Sequence, residues 1–197
     1  MANYLGGFTP VKYSNGAPWT GAARVYYASG NMFVGDFVAL DGTGTGPSVG
    51  ISTAAVPLKG VTAAANGASQ SVLGVVIGFA PNPLNLNLTI GSTAPITAGM
   101  QVYVVDDPKV LFQGAMSGTA LASANLGLNT VINTGTAGAN GRSGQLVDAA
   151  VANGASAPLR ILEYVEAPDN VYTATNAQVV VQINNHQLAP ATGTAGV

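Results

Sequence analysis

Two apolar runs of strand length, Val102–Val105 and Val110–Phe112, flank Asp106-Asp107-Pro108-Lys109 in the stretch QVYVVDDPKVLFQ. Val, Tyr and Phe suit a pleated, buried surface. Pro108 has no N–H and a fixed φ, so it ends the first run or sits in a turn. The stretch therefore predicts strand, turn, strand: a hairpin at the centre of a β domain, introduced by Gly99. A second run, SVLGVVIGF over Ser71–Phe79, is apolar almost throughout. A run of that length predicts a strand buried on both faces, or one central in a barrel.

Other segments follow the same chemistry. Arg24–Tyr27 predicts a short strand, and Met32–Leu40 a strand broken at Gly35-Asp36, where glycine suggests a bulge or bend. Lys59–Thr62 predicts another. After Pro81-Asn82-Pro83, Leu84, Leu86 and Leu88 alternate with Asn85 and Asn87, the period of a half-buried strand. Two strands close the chain, Leu159–Val165 and Ala177–Asn184, the second with Val179, Val181 and Ile183 on one face. Thr119–Leu128 (TALASANLGL) is the best helix candidate, with Ser117 or Thr119 as cap and Gly127 as stop. Val131-Ile132 reads as strand and Gln145–Val151 as a helical turn. No internal repeat of fixed period is visible.

Charge decides what kind of surface this is. The chain has 197 residues, enough for a substantial core. Charged residues make up 7%, where a soluble domain typically carries about 25%. Six basic against eight acidic residues leave a net charge of −2. Little repulsion keeps copies apart, so association is expected. The basic residues are scattered and form no nucleic-acid footprint. No segment has the length and apolarity of a transmembrane helix, and MANYLGGFTPVKYSNG does not read as a signal peptide, so neither nucleic acid nor membrane is expected as a partner. Residues 1–23 read as an extended arm, broken by Gly6, Gly7, Pro10, Gly16, Pro18 and Gly21. Its aromatics Tyr4, Phe8, Tyr13 and Trp19 are the candidate partner-binding anchors, because aromatics dominate interface hot spots. Such an arm lies either across a neighbour or on its own domain. An edge-rich β domain could also pair its edges with another chain.

Chemistry is hard to find. The chain has no cysteine, which excludes disulfides and thiolate sites. His186 is the single histidine and has no partner for a triad or a metal pair, so a turn or contact role is expected. Asp106 and Asp107 are the only adjacent carboxylates. Neighbours in a strand face opposite ways, so a shared proton or ion is not expected. Capping of turn N–H groups is the economical role, for Asp36 and Asp41 as well. GTGTG at 42–46 lacks the Lys and the helix of a phosphate loop. Lys109–Gly114 (KVLFQG) resembles a viral-protease tag site, but its position within a domain marks that as coincidence. No catalytic residue, cofactor or metal is expected, and the chain does not read as an enzyme.

Several blocks together carry a resemblance: LGVVIGF at 73–79 with the Pro-Asn-Pro that follows, VYVVDDPKVLFQ at 102–113, LASANLGLN at 121–129, LRILEYVEAPDN at 159–170 and VVQINNHQL at 180–188. In order and spacing they resemble tailed-bacteriophage head proteins of the auxiliary, decoration or cement kind. The resemblance spans most of residues 25–188. It implies a non-enzymatic all-β fold, mainly a β barrel or tulip-like sandwich, with one or two short helices. It implies homotrimers on the outer capsid surface that bridge major capsid protein subunits against internal DNA pressure. The expected organisation is an arm at 1–23, a β domain at 24–188 with a loop/helix insertion near 114–158, and a flexible tail at 189–197. The competing reading is a receptor- or glycan-binding β domain of a phage tail or cell surface.

Overall fold

The computed structural model describes residues 6–42, 58–67, 69–80, 96, 99–118, 122–135, 141–151, 154–171 and 173–189. These residues are almost entirely β. Their strands are β1 Thr9–Tyr13, β2 Arg24–Ala28, β3 Phe37–Leu40, β4 Gly60–Ala63, β5 Gly74–Phe79, β6 Gln101–Val105, β7 Val110–Ser117, β8 Asn129–Thr134, β9 Gln145–Val151, β10 Leu159–Tyr164 and β11 Gln178–Ile183. Strands β2-β4-β3-β5-β6 close into one barrel. Strands β7-β11-β10-β8-β9 close into a second through the β7–β9 pairing. Each ring has one parallel pair, β2–β4 and β7–β9.

The central stretch is not a hairpin. β6 pairs with β2 and β5, while β7 pairs with β1, β11 and β9. Asp106–Lys109 is instead the link from one barrel to the next. The apolar runs were legible, but which edges they meet depends on strands far away in sequence.

β5 is buried on both faces, as its composition predicts. Val76 points into the first barrel with Tyr26, Val38, Val61, Val102 and Val104. Val75 faces the other way and joins Phe37, Val72 and Val105 in a core shared with the second barrel. That shared core holds Val110, Phe112, Ile132, Leu159, Ile161, Val179 and Val181. The rings of Phe8 and Phe37 lie 4.4 Å apart between centroids, and those of Phe37 and Phe112 5.5 Å. One wall of the first barrel thus serves as the lid of the second.

Three further expectations need correction, and one open alternative is decided. Residues 114–158 are no insertion: they complete β7 and supply β8 and β9, without which the second ring would be open. Within Thr119–Leu128 the described residues form only a 3-10 turn at Ser123–Asn125, with no buried side chain to anchor a longer helix. Gln145–Val151 is strand β9, drawn into the sheet by β7 and β8. The arm packs on its own chain: β1 pairs with β7 through Thr9↔Gln113 and Tyr13↔Val110. Ring closure also leaves few edges for strand addition. Tyr4, the Leu84–Leu88 alternation, residues 43–46 of the GTGTG loop and the tail from 190 lie outside the described residues.

Gly74 and Gly35 shape the joint. A Cβ on Gly74 would lie 1.9 Å from the Val105 carbonyl oxygen, a backbone collision that no rotamer relieves. Gly35 sits at φ +96° in the break before β3, where glycine is the tolerant residue. The KVLFQG site runs through β7, where Leu111 and Phe112 are buried. Two substitutions test this account by chemical denaturation. Phe112→Ala should cost about 3–5 kcal/mol. Gly74→Ala should cost at least as much, whereas Gly30→Ala, whose nearest neighbour would be 3.6 Å away, should stay within about 0.5 kcal/mol of the parent.

Candidate functional site

The polar groups that are buried concentrate where the barrels meet. Asp106, at the end of β6, is 7% exposed and turns into the first barrel's end. It accepts a hydrogen bond from the Tyr26 hydroxyl at 2.6 Å and one from Arg24 Nη1 at 3.2 Å. Burial, then the hydrogen bond and negative charge of Asp106, push the Tyr26 phenol up to about 12. The Arg24 side chain is largely open to water, so its ion pair is worth at most about 1 kcal/mol. Asp107 turns the other way and accepts the Lys109 N–H at 2.8 Å, the capping role expected of it. The adjacent carboxylates therefore do separate tasks and share nothing.

His186 follows β11 in a strap that ties the second barrel to the first. Val72 N–H donates to the Asn185 carbonyl and Gln187 N–H to the Val72 carbonyl, while Gln187 Oε1 accepts the Leu40 N–H at 2.7 Å. The imidazole is 4% exposed. Its Nδ1 accepts the Leu188 N–H at 3.0 Å, which places the ring proton on Nε2. Among the described residues no acceptor meets the buried Nε2 in good hydrogen-bond geometry, although the carbonyls of Asp106 and Leu73 act on the ring. Burial lowers the imidazole pKa below 6.5, against the pull of Asp106, the carbonyls of Asp106 and Leu73, and Asp107. Its hydrogen bond with Leu188 and its burial make it a turn histidine packed into the joint.

On the opposite side of the joint Asp36 is also buried. It accepts the Phe33 N–H at 2.7 Å, and burial raises its pKa despite hydrogen bonds from Ser143 and Phe33. Gln145 of β9 accepts the Phe37 N–H at 2.7 Å and donates to the Ala64 carbonyl at 2.9 Å, stitching the barrels together. Sequence reading missed Gln145, because a strand glutamine carries no sign of a partner more than a hundred residues away. Among the described residues no three His, Cys, Asp or Glu side chains are grouped to hold a metal ion.

The aromatic anchors part company. Phe8 is 2% exposed in the shared core, which removes it as a partner contact. Tyr13 and Trp19 are half-buried against the same core. A groove of about 620 Å³ lies on the outer wall of the second barrel, and its lining includes Val11, Leu162, Tyr164 and Val180 and the Lys12–Glu163 ion pair at 2.7 Å. Compared with known protein families and with curated proteins, the sequence matches none.

Two measurements follow. Tyr26→Phe removes a buried donor from Asp106 and should cost about 1–2 kcal/mol in denaturant melts. For His186 the folded pKa lies below the unfolded one, so the unfolded chain binds more protons between them and stability falls as pH drops below 6.5. His186→Gln should flatten that part of the pH profile of the melting temperature. An unchanged slope would mean that His186 is not the group responsible.

Proposed function

We propose that this chain is a structural virion protein that decorates a tailed-bacteriophage capsid, bridging major capsid protein subunits as a homotrimer on the outer surface of the head. The observation that carries the reading is the scarcity of charge on a molecule built of two closed barrels. Several of the few ionic groups are already engaged within the fold: Lys12 with Glu163, Arg24 with Asp106, and Asp36 in the joint. Large interfaces deplete charge at their centres, and a surface like this suits them. The order and spacing of the sequence blocks add the phage-head setting.

Because both rings close and only β1 is added outside them, side-chain faces make up more of the described surface than strand edges do. Val25 and Tyr103 are opposite each other on β2 and β6 and are each 39% exposed. They form an apolar pair on the outer wall of the first barrel. The glycan-binding alternative has less to rest on, since Trp19 packs against the core instead of offering an open platform.

Purified chain should run as a trimer and sediment with expanded phage heads. Tyr103→Glu should weaken that binding at least tenfold without lowering the melting temperature by more than a few degrees. A stable monomer with no affinity for heads of its own phage would remove the proposal.

A further inference from the structure

The two barrels agree far beyond their strand order. In the first, Val76 pairs with Val104, Gly78 with Tyr103 and Phe79 with Val102, leaving Ile77 as a bulge. In the second, Ile161 pairs with Val181, Glu163 with Val180 and Tyr164 with Val179, leaving Leu162 as the bulge. The hairpin ends match as well: Ala80 N–H donates to the Gln101 carbonyl, and Val165 N–H to the Gln178 carbonyl. The match continues around each ring. Tyr27–Gln101, Tyr26–Val102 and Arg24–Val104 correspond to Ala115–Gln178, Gly114–Val179 and Phe112–Val181. The parallel pair Ala28–Val61 corresponds to Met116–Val147, and Phe37–Val75 to Asn129–Arg160. A trace survives in sequence, QVYVV at 101–105 beside QVVVQ at 178–182.

In this register Gly114 stands where the first barrel has Tyr26. The Tyr26 ring is part of the first barrel's own core. A Cβ on Gly114 would lie 2.5 Å from the ring of Phe8, which occupies the space an aromatic side chain at 114 would need. Phe37 closes over the same ring from the first barrel. We infer that the two barrels are copies of one five-stranded unit, and that Gly114 with the adjoining edge of β7 forms a docking site for an aromatic residue on an extended strand, filled by Phe8 of the same chain in place of the ring that Tyr26 supplies in the first copy. The site has two recognition elements. The β7 backbone pairs with β1 through Thr9↔Gln113 and Pro10↔Phe112. The missing side chain at Gly114 leaves a slot for one ring. An arm segment without an aromatic at position 8 would keep the first element and lose the second.

Three full-length variants test the exchange: Phe8→Ala, Gly114→Phe, and both together. Each single change should lower the melting temperature, the first by emptying the slot and the second by crowding it. The double variant should regain most of the loss, with a coupling of at least tenfold in the unfolding equilibrium constant. Additive losses in the double variant would overturn the assignment. If a single variant fails to fold, folding of the double variant under the same conditions is itself the expected rescue, and its failure counts against the slot. The chain has no cysteine, so Thr9→Cys/Gln113→Cys gives an independent reading. Oxidation should link the pair within one chain. A disulfide between two chains would show that the slot takes another copy's arm and would overturn filling by the same chain.

Discussion

The contact on which the rest depends is the cluster of Phe8, Phe37 and Phe112 between the barrels, its rings tilted and edge to face. A barrel of five short strands has too small an interior to bury much apolar area by itself, since small units leave a large share of their surface exposed. Here the second barrel extends its core through one end and onto the first barrel's wall. Phe37, Val75 and Val105 would be an exposed apolar patch if the first barrel stood alone, and Phe112 would look into water if the second did. Each barrel completes the other, and the joint adds the strap at His186 and the stitch at Gln145 to the apolar contact.

The equivalence of the rings explains why polar groups gather where they do. Where the second barrel has Phe112 and Ile183 at the end covered by its neighbour, the first has an exposed Arg24 paired with a buried Asp106. Where the first barrel has Phe37 and Val75 for the joint, the second has Asn129 and Arg160, joined by a hydrogen bond at 2.9 Å. One framework thus carries apolar residues at a set of positions in one ring and polar, mutually bonded ones at the equivalent positions of the other. Burial of His186 in the joint, which lowers its pKa, ties the fit of the two barrels to pH.

Much of this was legible in the residues. The apolar run at 71–79 announced a strand with two buried faces, and the alternation of Val179, Val181 and Ile183 announced an inward face. The turn hydrogen bonds of His186 and Asp107 were legible too, because a polar side chain beside a strand end finds backbone N–H groups close by. Partnerships were not legible. Asp106 meets Tyr26 and Arg24 only after β2 has closed against β6. Phe8 lies in a segment rich in glycine and proline, which looks like an arm whether or not it docks. The duplication hid because the connections between equivalent strands differ in length, so no fixed period survives.

The amino-acid sequence by itself determined that this chain makes strands, which of them are wholly buried, and that its surface carries few charges. Those properties belong to short windows: the side-chain preferences of Val, Ile, Tyr and Phe, the backbone limits of Gly and Pro, and a count of ionisable groups. Tertiary structure alone decided that β6 and β7 part into different barrels, that the arm's phenylalanine enters the second core, and that a glutamine and a histidine hold the barrels together. Strand pairing joins edges that are distant along the chain, and any apolar strand offers two edges to many partners. The choice among them is made only when whole rings close and every face is covered at once.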